Sequence, residues 1–250
     1  MQRLITIFSF LLLLVFVPIG PPLGRAATLD QIRLSWQHDP QTTMTIMWRT
    51  EGNLAPRVQY GVTTGYGREA VGTTSAAVLE GYFYNTVELT GLTPATTYHY
   101  RISGDGEAWS ADNIFRTAPS GPADFTFTAF ADNGINANAT RFAEPIKDLV
   151  AAQNPTFHLI AGDLTYADGD RCDGQPCIKE HWEQWLAEMS RISRTAPVMP
   201  ALGNHERSGD VKFPSGELFY TRSFALPSQH NEEYYSFDYG DIHFVALNSD

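Results

Sequence analysis

The sequence predicts an all-β sandwich followed by an α/β domain of βαβαβ type. Three observations carry this reading. Short alternating runs rich in β-branched and aromatic residues, separated by turn residues, extend from Leu29 to Thr117. A Pro/Gly/Ser cluster at Thr117–Pro122 marks a boundary. Beyond it, strand patterns alternate with helical ones. With 250 residues, 43% hydrophobic and 18% charged, the chain can bury the cores of about two domains.

The first segment, MQRLITIFSFLLLLVFVPIG, carries one Arg and then an uncharged apolar run from Leu4 to Gly20. Gly24 and Ala26 supply the small residues of a cleavage site, so residues 1–27 are expected to be a secretory signal peptide and not a retained anchor. Export to the periplasm or the exterior follows, with no stable membrane association after cleavage. Residues 28–118 then read as the sandwich. Its strands are predicted at IRLSWQ, MTIMWRT, RVQYG, YNTVELTGL and TYHYRIS. The stretch GLTPATTYHYRI places a Leu, a Pro and then Tyr98 and Tyr100 at a strand entrance, the pattern of a tyrosine corner, and resembles a fibronectin type III module. Trp36, Trp48, Tyr60, Tyr98 and Tyr100 are expected in the core, and His38 and His99 on the surface.

Residues 123–250 read as the α/β domain. FTFTAFAD is a strand ending at Asp132, RFAEPIKDLVAAQ a helix, and FHLIAGD the next strand. KEHWEQWLAEMSRI puts Trp182, Trp185, Leu186, Met189 and Ile192 on one helical face, and APVMPALG leads to Asn204-His205. Two successive βα units imply parallel strands with right-handed crossovers. Their polar ends, Asp132, Asp163 and Asn204, then fall on one edge of a sheet whose strands lie about 4.8 Å apart. Carboxylates placed so can share a cation, and Tyr166, three residues after Asp163, can add a phenolate. Taken singly, each of these residues fits an ordinary turn or cap; their recurrence at three strand ends favours a site.

The formal net charge of −11 argues against non-specific nucleic-acid binding. It does not exclude a phosphorylated substrate, because a bound metal reverses the field locally. In an exported chain Cys172 and Cys177, separated by Asp173-Gly174-Gln175-Pro176, are expected to close a small loop.

Together, ADNG at Ala131–Gly134, GDLTYAD from Gly162 and GNHE at Gly203–Glu206 resemble the first three motifs of the binuclear metallophosphoesterases, and Tyr166 narrows the resemblance to the purple acid phosphatases. The N-terminal sandwich resembles the domain preceding the catalytic domain in plant and bacterial members. Ala131 departs from the Gly many members have there, a change between small residues. The resemblance implies a binuclear centre of ferric iron and a divalent metal (iron, zinc or manganese). Asp132 would bind the first metal, Asp163 would bridge both, Tyr166 would be the phenolate on iron, and Asn204 would bind the second. His205 would contact the phosphate or protonate the leaving group. The implied activity is acid hydrolysis of phosphomonoesters, a metal-dependent hydrolase. A phosphodiesterase or nucleotidase of the same superfamily, or a non-catalytic secreted binding protein, is the alternative. The family's later VxxH-like and GHxH-like motifs are absent through Asp250, and His158, His181, His230 and His243 read as packed or surface residues. The chain is therefore expected to be the N-terminal part of a longer phosphatase, with weak metal binding, doubtful activity of its own and an apolar sheet edge left exposed. Oligomeric state is not encoded in these patterns.

Overall fold

The computed structural model describes residues 28–77, 79–134, 139–166, 178–207, 216–228 and 232–248. The expected signal peptide, Cys172, Cys177 and His230 lie outside them. Two four-stranded antiparallel sheets form the N-terminal sandwich. One has the order β1 (Asp30–Ser35), β2 (Met44–Glu51), β6 (Tyr82–Leu89), β5 (Thr73–Ala76); the other runs β4 (Arg68–Val71), β3 (Arg57–Gly61), β7 (Thr97–Ser103), β8 (Asn113–Arg116). The five longer strands fall where alternation placed them. The three additional ones, β4, β5 and β8, have four residues each and mostly exposed or half-buried side chains, so they carry little periodic signal. Trp36, Trp48, Tyr60, Tyr98 and Tyr100 are buried. The Thr93 N–H donates to the Tyr98 hydroxyl oxygen at 2.9 Å, which closes the tyrosine corner.

In the second region β9 (Phe127–Phe130), β10 (Phe157–Ala161) and β11 (Val198–Ala201) pair in parallel in the order β11-β10-β9. Helix α1 (Ala139–Ala152) follows β9, and α2 (Ile178–Ser193) precedes β11. The five apolar α2 residues expected on one face are buried. Short helices α3 (Asn204–Arg207) and α4 (Gly216–Ser223) lead to a hairpin of β12 (Tyr235–Tyr239) and β13 (Ile242–Ala246). The hairpin packs Phe244 edge-to-face against Phe157 and Phe127, at centroid distances of 5.3 and 5.5 Å. On its other face Val245 is 57% exposed, and the following Leu247 is 70% exposed.

The sandwich and the α/β region share a core. Trp36 contacts Phe157, Phe237 and Tyr239 at 5.5–5.8 Å between centroids. Around this apolar contact, sandwich side chains satisfy the ends of helices, whose last carbonyls lack intrahelical donors. The Tyr100 hydroxyl donates to the Arg194 carbonyl at 2.6 Å, and the Ser35 hydroxyl to the Ala225 carbonyl at 2.6 Å. Glu183 of α2, only 7% exposed, accepts from Gln31, Arg49 and Tyr84 of three sandwich strands.

His158 is buried in β10, bonded to the Thr128 hydroxyl at 2.7 Å and to the Ile192 carbonyl. Burial pushes its pKa down to about 4. The unfolded chain therefore binds a proton that the folded chain refuses between the ordinary value of 6.5 and about 4. The contribution is fully present above pH 6.5 and is lost as pH falls to 4, a loss of about 3 kcal/mol. His158→Gln keeps one donor and one acceptor but does not titrate, so urea unfolding between pH 4 and 7 should show a flatter acid limb than the wild type.

Candidate metal centre

The carboxyl ends of the three parallel strands place the predicted residues together. Asp132 lies two residues beyond β9, Asp163 two beyond β10, and Asn204 three beyond β11, the edge at which open α/β sheets present ligand-binding groups. The Tyr166 hydroxyl donates to Asp132 Oδ1 in a very short contact. The His205 N–H donates to Asp163 Oδ1 at 3.2 Å. The Tyr166 and His205 rings lie 4.2 Å apart between centroids, at 39°. Asn204 is exposed at the same edge, and Asp163, Tyr166 and His205 are half-buried.

The backbone here is unusual. Asp132, Asp163 and Tyr166 have φ of 54°, 54° and 51°, the left-handed region that side chains other than Gly seldom occupy and that clusters at functional sites. Two glycines permit the close approach. A Cβ on Gly203 would lie 2.3 Å from the Asp163 nitrogen, and one on Gly134 would lie 2.2 Å from the Tyr166 ring. The Gly in each of these motifs is thus a steric requirement.

Glu206 carries a role that the sequence reading did not assign. It is 1% exposed. One carboxylate oxygen accepts from Gly203 N–H at 3.1 Å and Asp163 N–H at 2.9 Å. The other accepts from Leu164 at 2.8 Å and Thr165 at 3.4 Å. Burial pushes its pKa up to about 7, with the nearby Asp163 charge adding to the rise and the backbone N–H donors opposing it. A buried acid is the residue class least expected inside without partners. The signal was present in GNHE, but only the turn of α3 shows that this fourth residue points inward.

The donor chemistry suits a hard cation. Two carboxylates, a phenol and an amide stand at one sheet edge, where His205 links Asp163 to the Tyr166–Asp132 pair. Among the described residues there is no group of three or more His, Cys, Asp or Glu side chains able to hold a metal.

A model of the purple acid phosphatase N-terminal domain matches residues 29–117, and one of the calcineurin-like phosphoesterases matches residues 125–248. The chain belongs to the purple acid phosphatase family. Purple acid phosphatase 23 of Arabidopsis thaliana is 31% identical over 189 residues, covering 64% of this chain and 39% of that one. An uncharacterized protein of Mycobacterium tuberculosis is 31% identical over 255 residues, covering 92% of this chain and 46% of its own length. The chain thus spans less than half the length of these relatives. Among solved structures, "Structure of PhoD" superposes with a TM-score of 0.63 at 15% identity, over 90% of this chain and 52% of that one, a likeness of fold. Members of the purple acid phosphatase family are phosphoesterases with a binuclear metal centre, the setting into which the convergence of Asp132, Asp163 and Tyr166 fits.

Proposed function

We propose that the chain supplies part of a binuclear metal site for acid hydrolysis of phosphomonoesters in an exported enzyme. Residues 1–27 act as its export signal, 28–118 as a supporting sandwich and 123–250 as the N-terminal part of the catalytic domain. The observation that supports this most is the direct contact of Tyr166 with Asp132 beside the Asp163–His205 pair. In this reading Asp132 and Tyr166 would hold ferric iron, Asp163 would serve both metals, and Asn204 would hold a divalent iron, zinc or manganese. When bound, such a metal pair supplies Lewis-acid charge that neutralises phosphate oxygens and acidifies water. The residues supply placement: Glu206 fixes the Asp163 turn, and Tyr166 backs the His205 ring. His205 is the residue placed to contact phosphate or to pass a proton to the leaving oxygen.

The Tyr166 hydroxyl donates its proton in the hydrogen bond to Asp132. Metal uptake must displace that proton, so binding should strengthen as pH rises and release a proton, measurable by calorimetry in buffers of different ionisation enthalpy. For the reaction class, the test is hydrolysis of p-nitrophenyl phosphate against bis(p-nitrophenyl) phosphate by the metal-loaded protein. Faster turnover of the monoester, lost in Asp163→Ala, is the expected result. Preference for the diester, or turnover indifferent to Asp163→Ala, would refute it.

A further inference from the structure

Among the described residues β11 is an outer strand of the parallel sheet, and it ends just before the candidate metal centre. The His158 N–H donates to the Pro197 carbonyl at 2.8 Å. Backbone groups alternate along a strand, so residues 199 and 201 also turn toward β10 and Val198 and Pro200 turn theirs outward. Proline is suited to such an edge because it has no N–H to leave unpaired. Its outward carbonyl is not left to solvent. The Tyr220 hydroxyl of α4 donates to it at 2.6 Å, and the Tyr235 hydroxyl of β12 at 2.8 Å. Both side chains are buried, at 0% and 2% exposure. Burial holds both phenols well above their ordinary range, so they remain donors throughout the folded protein's pH range.

The far end of α4 is held as well. Arg33 Nε of β1 donates to the Ser223 carbonyl, and Ser35 to the Ala225 carbonyl. Sandwich, helix and strand are therefore joined by hydrogen bonds that lead to Pro200. From there only Ala201, Leu202 and Gly203 separate the clamp from Asn204 and His205. Gly203 packs so tightly on Asp163 that not even a Cβ fits between them, so little slack exists to absorb a shift of the strand end.

We propose that Tyr220 and Tyr235 are positioning residues: their paired hydroxyls on Pro200 fix the end of β11, and with it Asn204 and His205, relative to α4 and the sandwich. This rests on the reading of Asn204 and His205 as site residues. The role is distinct from core filling, because phenylalanine would fill the same space.

The test compares Tyr220→Phe, Tyr235→Phe and the double variant, read by NMR of the metal-free protein. The His205 and Tyr166 ring resonances report the 4.2 Å ring contact, and His38 and His99 in the sandwich serve as internal references. Each single variant leaves one hydroxyl on Pro200 and should move the site resonances little. The double variant should move both His205 and Tyr166 signals and leave His38 and His99 in place. A folded double variant with unchanged site resonances would overturn the proposal and leave the tyrosines as packing residues. If the double variant does not fold in plain buffer, the same spectra are recorded in trimethylamine N-oxide, which favours the compact state while both hydroxyls are still missing from Pro200. Site shifts there would support the proposal, and their absence would overturn it. The readout needs neither metal nor turnover, so a failure of the phosphatase reading leaves this result standing.

Discussion

Replacing Glu206 with alanine is expected to destabilise the protein by about 3 kcal/mol and to release the turn that carries Asp163. Four backbone N–H groups converge on this one carboxylate, and alanine would leave them facing a cavity in a buried setting. Glu206→Gln should be nearly as harmful although it matches in shape. An amide presents an acceptor on one side only, so one pair of N–H groups would face the NH2. Glu206→Asp retains the acceptors but is shorter, and should fall between the wild type and alanine. Urea unfolding measures the stability cost. The Asp163 and Leu164 amide resonances should move in the same variants, because their hydrogen-bond acceptor is the group removed. A cost under about 1 kcal/mol with those amides unmoved would show that the turn holds itself.

The second large effect is expected at the junction of the two regions. Glu183 is bonded to Gln31 at 2.6 Å, Arg49 at 2.5 Å and Tyr84 at 3.0 Å. Arg49 is also held bidentate by Asp30, at 2.8 and 2.6 Å, so it cannot turn away to solvent without breaking that pair. Glu183→Ala would strand the buried Gln31 and Tyr84 donors and leave the half-buried Arg49 to Asp30 alone, a loss of about 3 kcal/mol. Because the donors belong to the sandwich and the acceptor to α2, the loss should fall on the coupling between regions. The wild type should unfold in one transition by both tryptophan fluorescence and far-ultraviolet circular dichroism, and Glu183→Ala in two that no longer coincide. Coincident transitions in the variant would mean that the Trp36 contacts alone unite the regions.

Much of this architecture was legible in the sequence because burial is periodic. The α2 face of Trp182, Trp185, Leu186, Met189 and Ile192 and the strand RVQYG were readable from spacing alone. The placement of the candidate site residues was legible for a different reason. Asp132, Asp163 and Asn204 end successive strands of one parallel sheet, so topology brings together residues more than 70 positions apart in sequence. The short strands β4, β5 and β8 escaped because four-residue runs are too short for alternation to show; β4 and β5 bury no side chain and β8 buries only Phe115. The roles of Glu206, Glu183 and the Tyr220–Tyr235 pair escaped because their partners are backbone groups or distant side chains. A glutamate that gathers four N–H groups has the same letter as one in solvent. His99, expected on the surface of the sandwich, is half-buried there and bonds Asp112 at 2.8 Å.

The central claim is that Asp132, Asp163, Tyr166 and Asn204 form one metal centre. Titration of the metal-free protein with ferric iron, followed by visible absorption, tests it most directly, because a phenolate bound to ferric iron gives a charge-transfer band that carboxylate ligands do not. The account predicts a visible band that saturates with iron, disappears in Tyr166→Phe although iron still binds, and is weakened together with iron binding in Asp132→Ala. Bound iron without a band, or a band that persists in Tyr166→Phe, would contradict it.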